Sequence, residues 1–213
     1  MIGLYNSPMV RSHTIRLDPN QVQQVALRKA AGTARFVYNW ALEQWNKQYE
    51  AYTKGETTEK PTAYSIARKW TKERPEWSKE VSCCLQSRAI LNLGLAWVGF
   101  WSKKTGKPVF KKKQDRAAFY ITNDKAHLKA RHIYLPKIGN VRLCEPLRFQ
   151  GKILAYTVVH QAGQWHVAVK VELPDPVPSK NPSVVGVDVG VSAIAAASDG
   201  TTCPNPKRLQ KKQ

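Results

Sequence analysis

Gly151-Lys-Ile-Leu-Ala-Tyr-Thr-Val-Val-His-Gln-Ala-Gly-Gln-Trp-His-Val-Ala-Val-Lys-Val-Glu172 is the stretch that decides the fold class. Two β-branched, alternating runs flank Gln161-Ala162-Gly163-Gln164. Period-2 alternation on either side of a glycine-bearing turn specifies an antiparallel hairpin with one buried face. The expected strands are Lys152–His160 and Trp165–Leu173. Upstream, back to Gly106, the same period recurs at Ala118–Thr122, Arg131–Leu135 and Val141–Cys144, with Gly139-Asn140 as a further turn. Residues 105–174 therefore read as a β-rich module, a small barrel or curled sheet.

Before Gly106 the period is helical, apart from a short strand at Arg11–Leu17. Asp18 is the expected N-cap and Pro19 the first helical residue. Gly32 is expected to break or kink the run that follows, and a second helix is expected over about 33–52, with Phe36, Val37, Trp40, Ala41, Gln44, Trp45 and Tyr49 near one face. This pair reads as a helix-turn-helix or as a plain helical hairpin. A short helix follows at Thr62–Thr71. Ser78 is expected to cap a longer helix through Trp101, packed on two sides because Val81, Cys84, Leu85, Ala89, Leu91, Leu95, Val98 and Trp101 cover more than one face. Six tryptophans of this half (Trp40, Trp45, Trp70, Trp77, Trp97, Trp101) read as core and packing residues rather than stacking platforms.

Downstream of the hairpin, the proline-rich segment 175–183 reads as a linker. Val184-Val-Gly-Val-Asp-Val-Gly190 then reads as a buried strand with a carboxylate, Asp188, at its centre, followed by a strand at Ser192–Ser198 and an Asp199-Gly200 turn. A charge amid apolar neighbours is costly unless it has work to do. Asp188 fits three roles: a Mg²⁺ ligand of a two-metal nuclease, a phosphate and metal contact of an actin-like ATPase, or a cap on the turn into Gly190. Only 25 residues follow Asp188, and Asp199 is the sole carboxylate among them.

Charge narrows the partners. The chain has 213 residues with 34 Lys+Arg against 15 Asp+Glu, a net charge of +19, which favours a polyanion. No apolar run approaches the 18 or so residues needed to span a bilayer, and residues 1–10 lack the features of a signal peptide, so a cytoplasmic protein is expected. The densest basic segment holds Lys103, Lys104, Lys107, Lys111, Lys112, Lys113 and Arg116. Val109-Phe110 lies within it and Phe119-Tyr120 after it, a pattern suited to phosphate contacts with base stacking. Cys83, Cys84, Cys144 and Cys203 form no CxxC pair and read as reduced thiols, some of them core. The five scattered histidines read as structural, His160 and His166 flanking the hairpin turn.

The segments "GTARFVYNWAL" (32–42), "GKPVFKKK" (106–113), "IYLPKIGNVRL" (133–143), residues 151–172 and "VVGVDVG" (184–190), in this order, resemble the TnpB (OrfB) proteins of insertion sequences, transposases related to compact type V CRISPR nucleases. The resemblance implies an α+β fold. Residues 1–17 and 105–174 would form an oligonucleotide-binding-like wedge barrel, with a helical recognition lobe (18–104) inserted in it. Residues 184–213 would open a RuvC-type, RNase H-like nuclease domain. It implies guide RNA and DNA as partners, Mg²⁺ as cofactor and Asp188 as the first catalytic carboxylate. The family's further catalytic Glu and Asp, and its zinc ribbon of two CxxC pairs, have no counterpart after Asp188. These 213 residues are therefore expected to bind nucleic acid without cutting it, unless a downstream polypeptide completes the site. The alternatives are a catalytically dead RNA- or DNA-binding fragment acting as repressor or competitor, and an actin-like ATPase fragment.

Overall fold

A computed structural model describes residues 9–114, 116–174 and 185–205. The chain divides into two units, residues 1–175 and 176–213. The expected linker falls outside the described residues.

In the first unit, β1 (Met9–Asp18) leads into α1 (Gln21–Thr53), α2 (Ala63–Glu73), a short 3-10 helix (Glu76–Glu80) and α3 (Cys83–Trp101). Six strands follow: β2 (Ala118–Thr122), β3 (His127–Lys129), β4 (His132–Leu135), β5 (Gly139–Leu143), β6 (Lys152–Gln161) and β7 (Gln164–Leu173). They form one seven-stranded antiparallel sheet in the order β2-β6-β7-β1-β5-β4-β3. The pivot is β1: Met9 to Arg16 pair with β7, whereas Leu17 and Asp18 pair with Leu143 and Arg142 of β5. Inward residues from both ends of the strand order, Phe119 and Ile121 of β2 and Ile133 and Leu135 of β4, share one buried cluster. A flat sheet could not bring them together, so the sheet curls into a half-barrel.

The hairpin at 161–164 closes as the sequence predicts. Ala162 and Gly163 both have positive φ (50° and 75°), the geometry that matches the right-handed strand twist. The expected turn at Gly139-Asn140 is displaced: both residues lie within β5, and the loop is Pro136–Ile138, with Lys137 at φ 67°. Strand β3 had no sequence expectation.

The expected break at Gly32 is absent, so residues 21–53 form neither a helix-turn-helix nor a hairpin. One 33-residue helix runs through Gly32, because its apolar stripe is continuous. Leu27, Ala30, Ala31 and Ala34 enter the sheet core, and Val37, Tyr38, Ala41, Leu42 and Trp45 enter a second, helical core. Burial on both sides of Gly32 outweighs the roughly 1 kcal/mol that a mid-helix glycine costs. The N-cap is Asn20 rather than Asp18. Its side chain accepts from the Gln23 N–H at 2.9 Å while Gln23 Oε1 accepts from the Asn20 N–H at 3.1 Å, a reciprocal capping box.

The helical core holds α1, α2 and α3 through aromatic contacts, notably Trp45 stacked on Trp97 with centroids 5.8 Å apart and planes 8° apart. Trp45, Trp70 and Trp97 are buried as expected, whereas Trp77 and Trp101 are exposed. A Cβ on Gly94 would approach that of Ala63 to 2.9 Å, so only glycine permits this crossing of α2 and α3. Ser78 caps nothing: it is buried in the 3-10 helix, and α3 starts after Ser82. Buried Gln86 organises that segment. Its Nε2 donates to the Ser78 and Val81 carbonyls (2.7 and 3.0 Å), and its Oε1 accepts from Trp70 Nε1 (2.9 Å). Nor is α3 packed on two sides, since Leu91, Leu95 and Val98 are exposed. None of the four cysteines is buried; the thiols are free but not core.

The second unit shows β8 (Val187–Asp188), β9 (Ala193–Ala197) and β10 (Thr202–Pro204) as an antiparallel sheet in the order β10-β9-β8. The two expected strands are present, shortened, with β10 added. The expectation of a buried strand fails: Val185 through Val189 are all exposed, Val187 by 62%. Two- to five-residue strands in a three-stranded sheet give an apolar run nothing to pack beneath.

Candidate nucleic-acid interface

The basic segment Lys103–Arg116 lies between α3 and β2, and its described residues form no helix or strand. Its start is turned by Lys103 at φ 55° and fastened where the Lys103 and Lys104 N–H groups donate to the Phe100 and Gly99 carbonyls, both at 2.9 Å. Further along, Asn39 on α1 grips Lys111 twice. The Lys111 N–H donates to Asn39 Oδ1 (2.8 Å), and Asn39 Nδ2 donates to the Lys111 carbonyl (2.9 Å). Next to it, Lys111 Nζ lies 4.0 Å from the centroid of the Tyr38 ring, a cation–π contact, and Lys107 Nζ lies 5.9 Å from that of Trp97. Burial pushes the Tyr38 phenol above its ordinary pKa. The strap is thus irregular yet anchored on the helical core.

Lys103, Lys104, Lys107, Lys111, Lys112, Lys113 and Arg116 are all exposed. The aromatic partners differ from expectation. Phe119 is buried in the sheet core, because it faces inward on β2. Tyr120 is covered by the Arg88 guanidinium at 4.1 Å. Phe110, 52% exposed within the strap, is the ring left for stacking. Sequence reading missed Asn39, although a polar residue set among apolar helix neighbours was its available signal.

Asp188 lies on β8 opposite Ala196 and is exposed. The Gly186 N–H beside it donates to Ser198 Oγ at 2.9 Å, and Asn205 Nδ2 donates to the Val191 carbonyl at 2.9 Å, closing the loop. Asp199 is a turn residue: its Oδ1 accepts from the Thr201 N–H at 2.9 Å, which holds its carboxyl below the ordinary carboxylate range. Among the described residues, no three His, Cys, Asp or Glu side chains gather as metal ligands. One carboxylate falls short of the converging ligands of a two-metal site, and no metal-dependent step can be derived from the described residues.

A family model described as a helix-turn-helix domain (HTH_OrfB_IS605) matches residues 9–54, the span of β1 and the uninterrupted α1. "Putative RNA-guided DNA endonuclease InsQ" of Escherichia coli (strain K12) is 29% identical over 206 residues, covering 96% of this chain and 51% of that protein. The protein of the same description, MT2953, from Mycobacterium tuberculosis (strain CDC 1551 / Oshkosh) is 26% identical over 238 residues, covering 94% of this chain and 52% of its own length. A solved structure of a Cas12f1-sgRNA-target DNA complex aligns with a TM-score of 0.40 and 13% identity, covering 95% of this chain and 59% of that one. The chain is thus similar along nearly its whole length to proteins described as putative RNA-guided DNA endonucleases, and it spans about half the length of the curated relatives it matches.

Proposed function

We propose that this chain binds nucleic acid as the N-terminal part of a TnpB-type RNA-guided DNA endonuclease, with guide RNA and DNA as its partners. The observation that carries this reading is the strap: seven exposed cations on a backbone fixed by Asn39 in a chain of net charge +19. A pre-ordered basic segment meets phosphates without first losing backbone freedom. In this reading the half-barrel is the oligonucleotide-binding-like wedge, α1 to α3 are the recognition lobe, and β8 to β10 are the opening strands of the RuvC-type domain. Asp188 is then the first Mg²⁺ ligand, and a two-metal site needs carboxylates beyond the one these residues supply.

Titrating fluorescent single-stranded RNA and DNA between 50 and 200 mM salt tests this. At the single-strand slope of about 0.7 per contact, six to ten phosphate contacts predict a loss of roughly 300- to 20,000-fold in affinity over that range. Replacing Lys111, Lys112 and Lys113 with Ala should reduce the log–log salt slope by about 2 to 3. Binding indifferent to salt, or a triple variant with an unchanged slope, refutes the assignment. We expect no cutting of DNA by the 213-residue chain with Mg²⁺. Guide-dependent cleavage abolished by Asp188→Ala would overturn that expectation.

A further inference from the structure

Residues 127–143 carry four cations, Lys129, Arg131, Lys137 and Arg142, and no acid. The register of β3, β4 and β5 sorts their alternate residues. Leu128, Ile133 and Val141 face the core. The outward residues fall into two cross-strand rows. Lys129, His132 and Arg142 align across the three strands in one row, and His127, Tyr134 and Asn140 align in the next. All six are exposed. The His127 and Tyr134 rings lie nearly parallel, 15° apart with centroids at 6.4 Å.

In the first row Lys129 and Arg142 lie on either side of His132, two strands apart. Asp18, opposite Arg142 on β1, comes within 4.0 Å of it. Lys129, Arg131 and Lys137 make no ion pair among the described residues. Lys137 also holds a left-handed backbone at φ 67°, a conformation that costs a non-glycine residue energy and clusters at functional sites. Beyond the sheet, Tyr134, 42% exposed, borders a cleft of about 400 Å³ shared with Lys137 and Arg74. Two residues of strand rise separate the rows by roughly 7 Å, the reach of one nucleotide from its base to its phosphate.

We propose that the outer face of β3–β5 is a second polynucleotide-binding surface, apart from the strap. It stacks a base of single-stranded RNA or DNA on the Tyr134–His127 pair and takes the phosphates on Lys129, His132 and Arg142. The proposal rests on the nucleic-acid-binding reading above. A bilayer surface is disfavoured because Tyr134 is the one large apolar group in the two rows. An acidic peptide would use the cations but leave the rings without a role.

The test is photocrosslinking of the full 213-residue chain to single-stranded RNA carrying 5-iodouridine, to the matching iodinated DNA strand and to its duplex, with the adduct located by mass spectrometry. The expected adduct is at Tyr134 or His127, with single strands and not with the duplex. Tyr134→Ala should weaken single-strand binding roughly 5- to 150-fold, the range for loss of one stacked base. Tyr134→Phe should restore it, and Arg142→Ala should lower the salt slope by about 0.7. Hydrogen exchange of β3–β5 checks that the variants keep their strands. The strap variant with Lys111, Lys112 and Lys113 changed to Ala should still crosslink at Tyr134. Stronger binding by RNA or by DNA identifies which source of single strand the face serves. An adduct formed with duplex alone overturns the single-strand assignment. Displacement by poly-glutamate of a complex indifferent to Tyr134→Ala overturns the stacking role in favour of an acidic partner. Wild-type binding with Tyr134→Ala unchanged and adducts elsewhere removes this surface while the strap reading stands. Wild-type failure to bind any strand removes both.

Discussion

The strap at 103–116 and the strand bearing Asp188 invert what local regularity suggests. The strap has no repeating backbone, yet contacts from α1 hold it in place, some through residues 72 positions away in sequence. The Asp188 segment has the more ordered pattern, an apolar run with one charge, yet its residues are exposed and, among the described residues, no cluster of metal ligands gathers around its carboxylate. A phosphate-binding surface can be built one cation at a time, because each contact adds separately. A two-metal site requires several carboxylates to converge at once. A strand with one exposed carboxylate therefore cannot by itself provide such a site.

The greatest effect is expected where the strap meets the helical core. Trp97 is almost wholly buried, stacks on Trp45 and carries Lys107 above its ring. Trp97→Ala should cost about 3–5 kcal/mol, read as a fall in the denaturation midpoint by circular dichroism, with weakened polyanion binding. Full binding by this variant would break the claim that the helical core supports the strap.

A narrower change separates anchoring from charge. Asn39→Ala removes both Lys111 clamp bonds and no cation. Trypsin should then cleave faster among Lys111–Lys113 in the free protein. Affinity for single-stranded nucleic acid should drop several-fold while the salt slope stays the same, because the ordering cost is deferred to binding and the phosphate count is unaltered. A reduced slope would mean that Asn39 alters the number of phosphate contacts instead.

These experiments probe features of unequal legibility. The β-hairpin at 152–173 was readable because alternation, β-branching and a glycine turn agree. The helices at 63–73 and 83–101 were readable in kind, and their starts shifted where tertiary contacts overrode capping preferences, as with Ser78 beneath Gln86. The break at Gly32 was misread because a glycine's local cost is visible in sequence while the two cores flanking it are not. The strap's charge was plain, but Asn39's partner was not, since a polar residue among apolar helix neighbours says nothing of position 111. The β3–β5 face escaped notice for a related reason: its cations are spread over three short strands, and only the register collects them into rows.

Asp188→Ala examines the other side of the comparison. An exposed carboxylate on a short strand should be replaceable within about 0.5 kcal/mol, measured as an unchanged urea midpoint, and single-strand affinity should be unaltered. A marked loss of stability would show that the carboxylate has a structural partner, and the contrast with the strap would collapse.

The smallest effect concerns a pair between α1 and the 3-10 helix. Lys29 Nζ lies 2.8 Å from Glu80 Oε2, with both side chains more than half exposed. The hydrogen bond from Lys29, and then its charge, lower the Glu80 carboxyl below its usual 4.5. A carboxyl depressed in the folded state binds protons more readily when unfolded, so its stabilisation is present above the unfolded value and is lost as pH falls through the lower folded one. Lys29→Ala should therefore be slightly less stable than wild type at pH 7, with the gap closing as the pH drops below 4.5. Urea midpoints across that window read the difference directly. A gap that persists at the acid end would make burial of the Lys29 stem, rather than its charge, the source of the stabilisation.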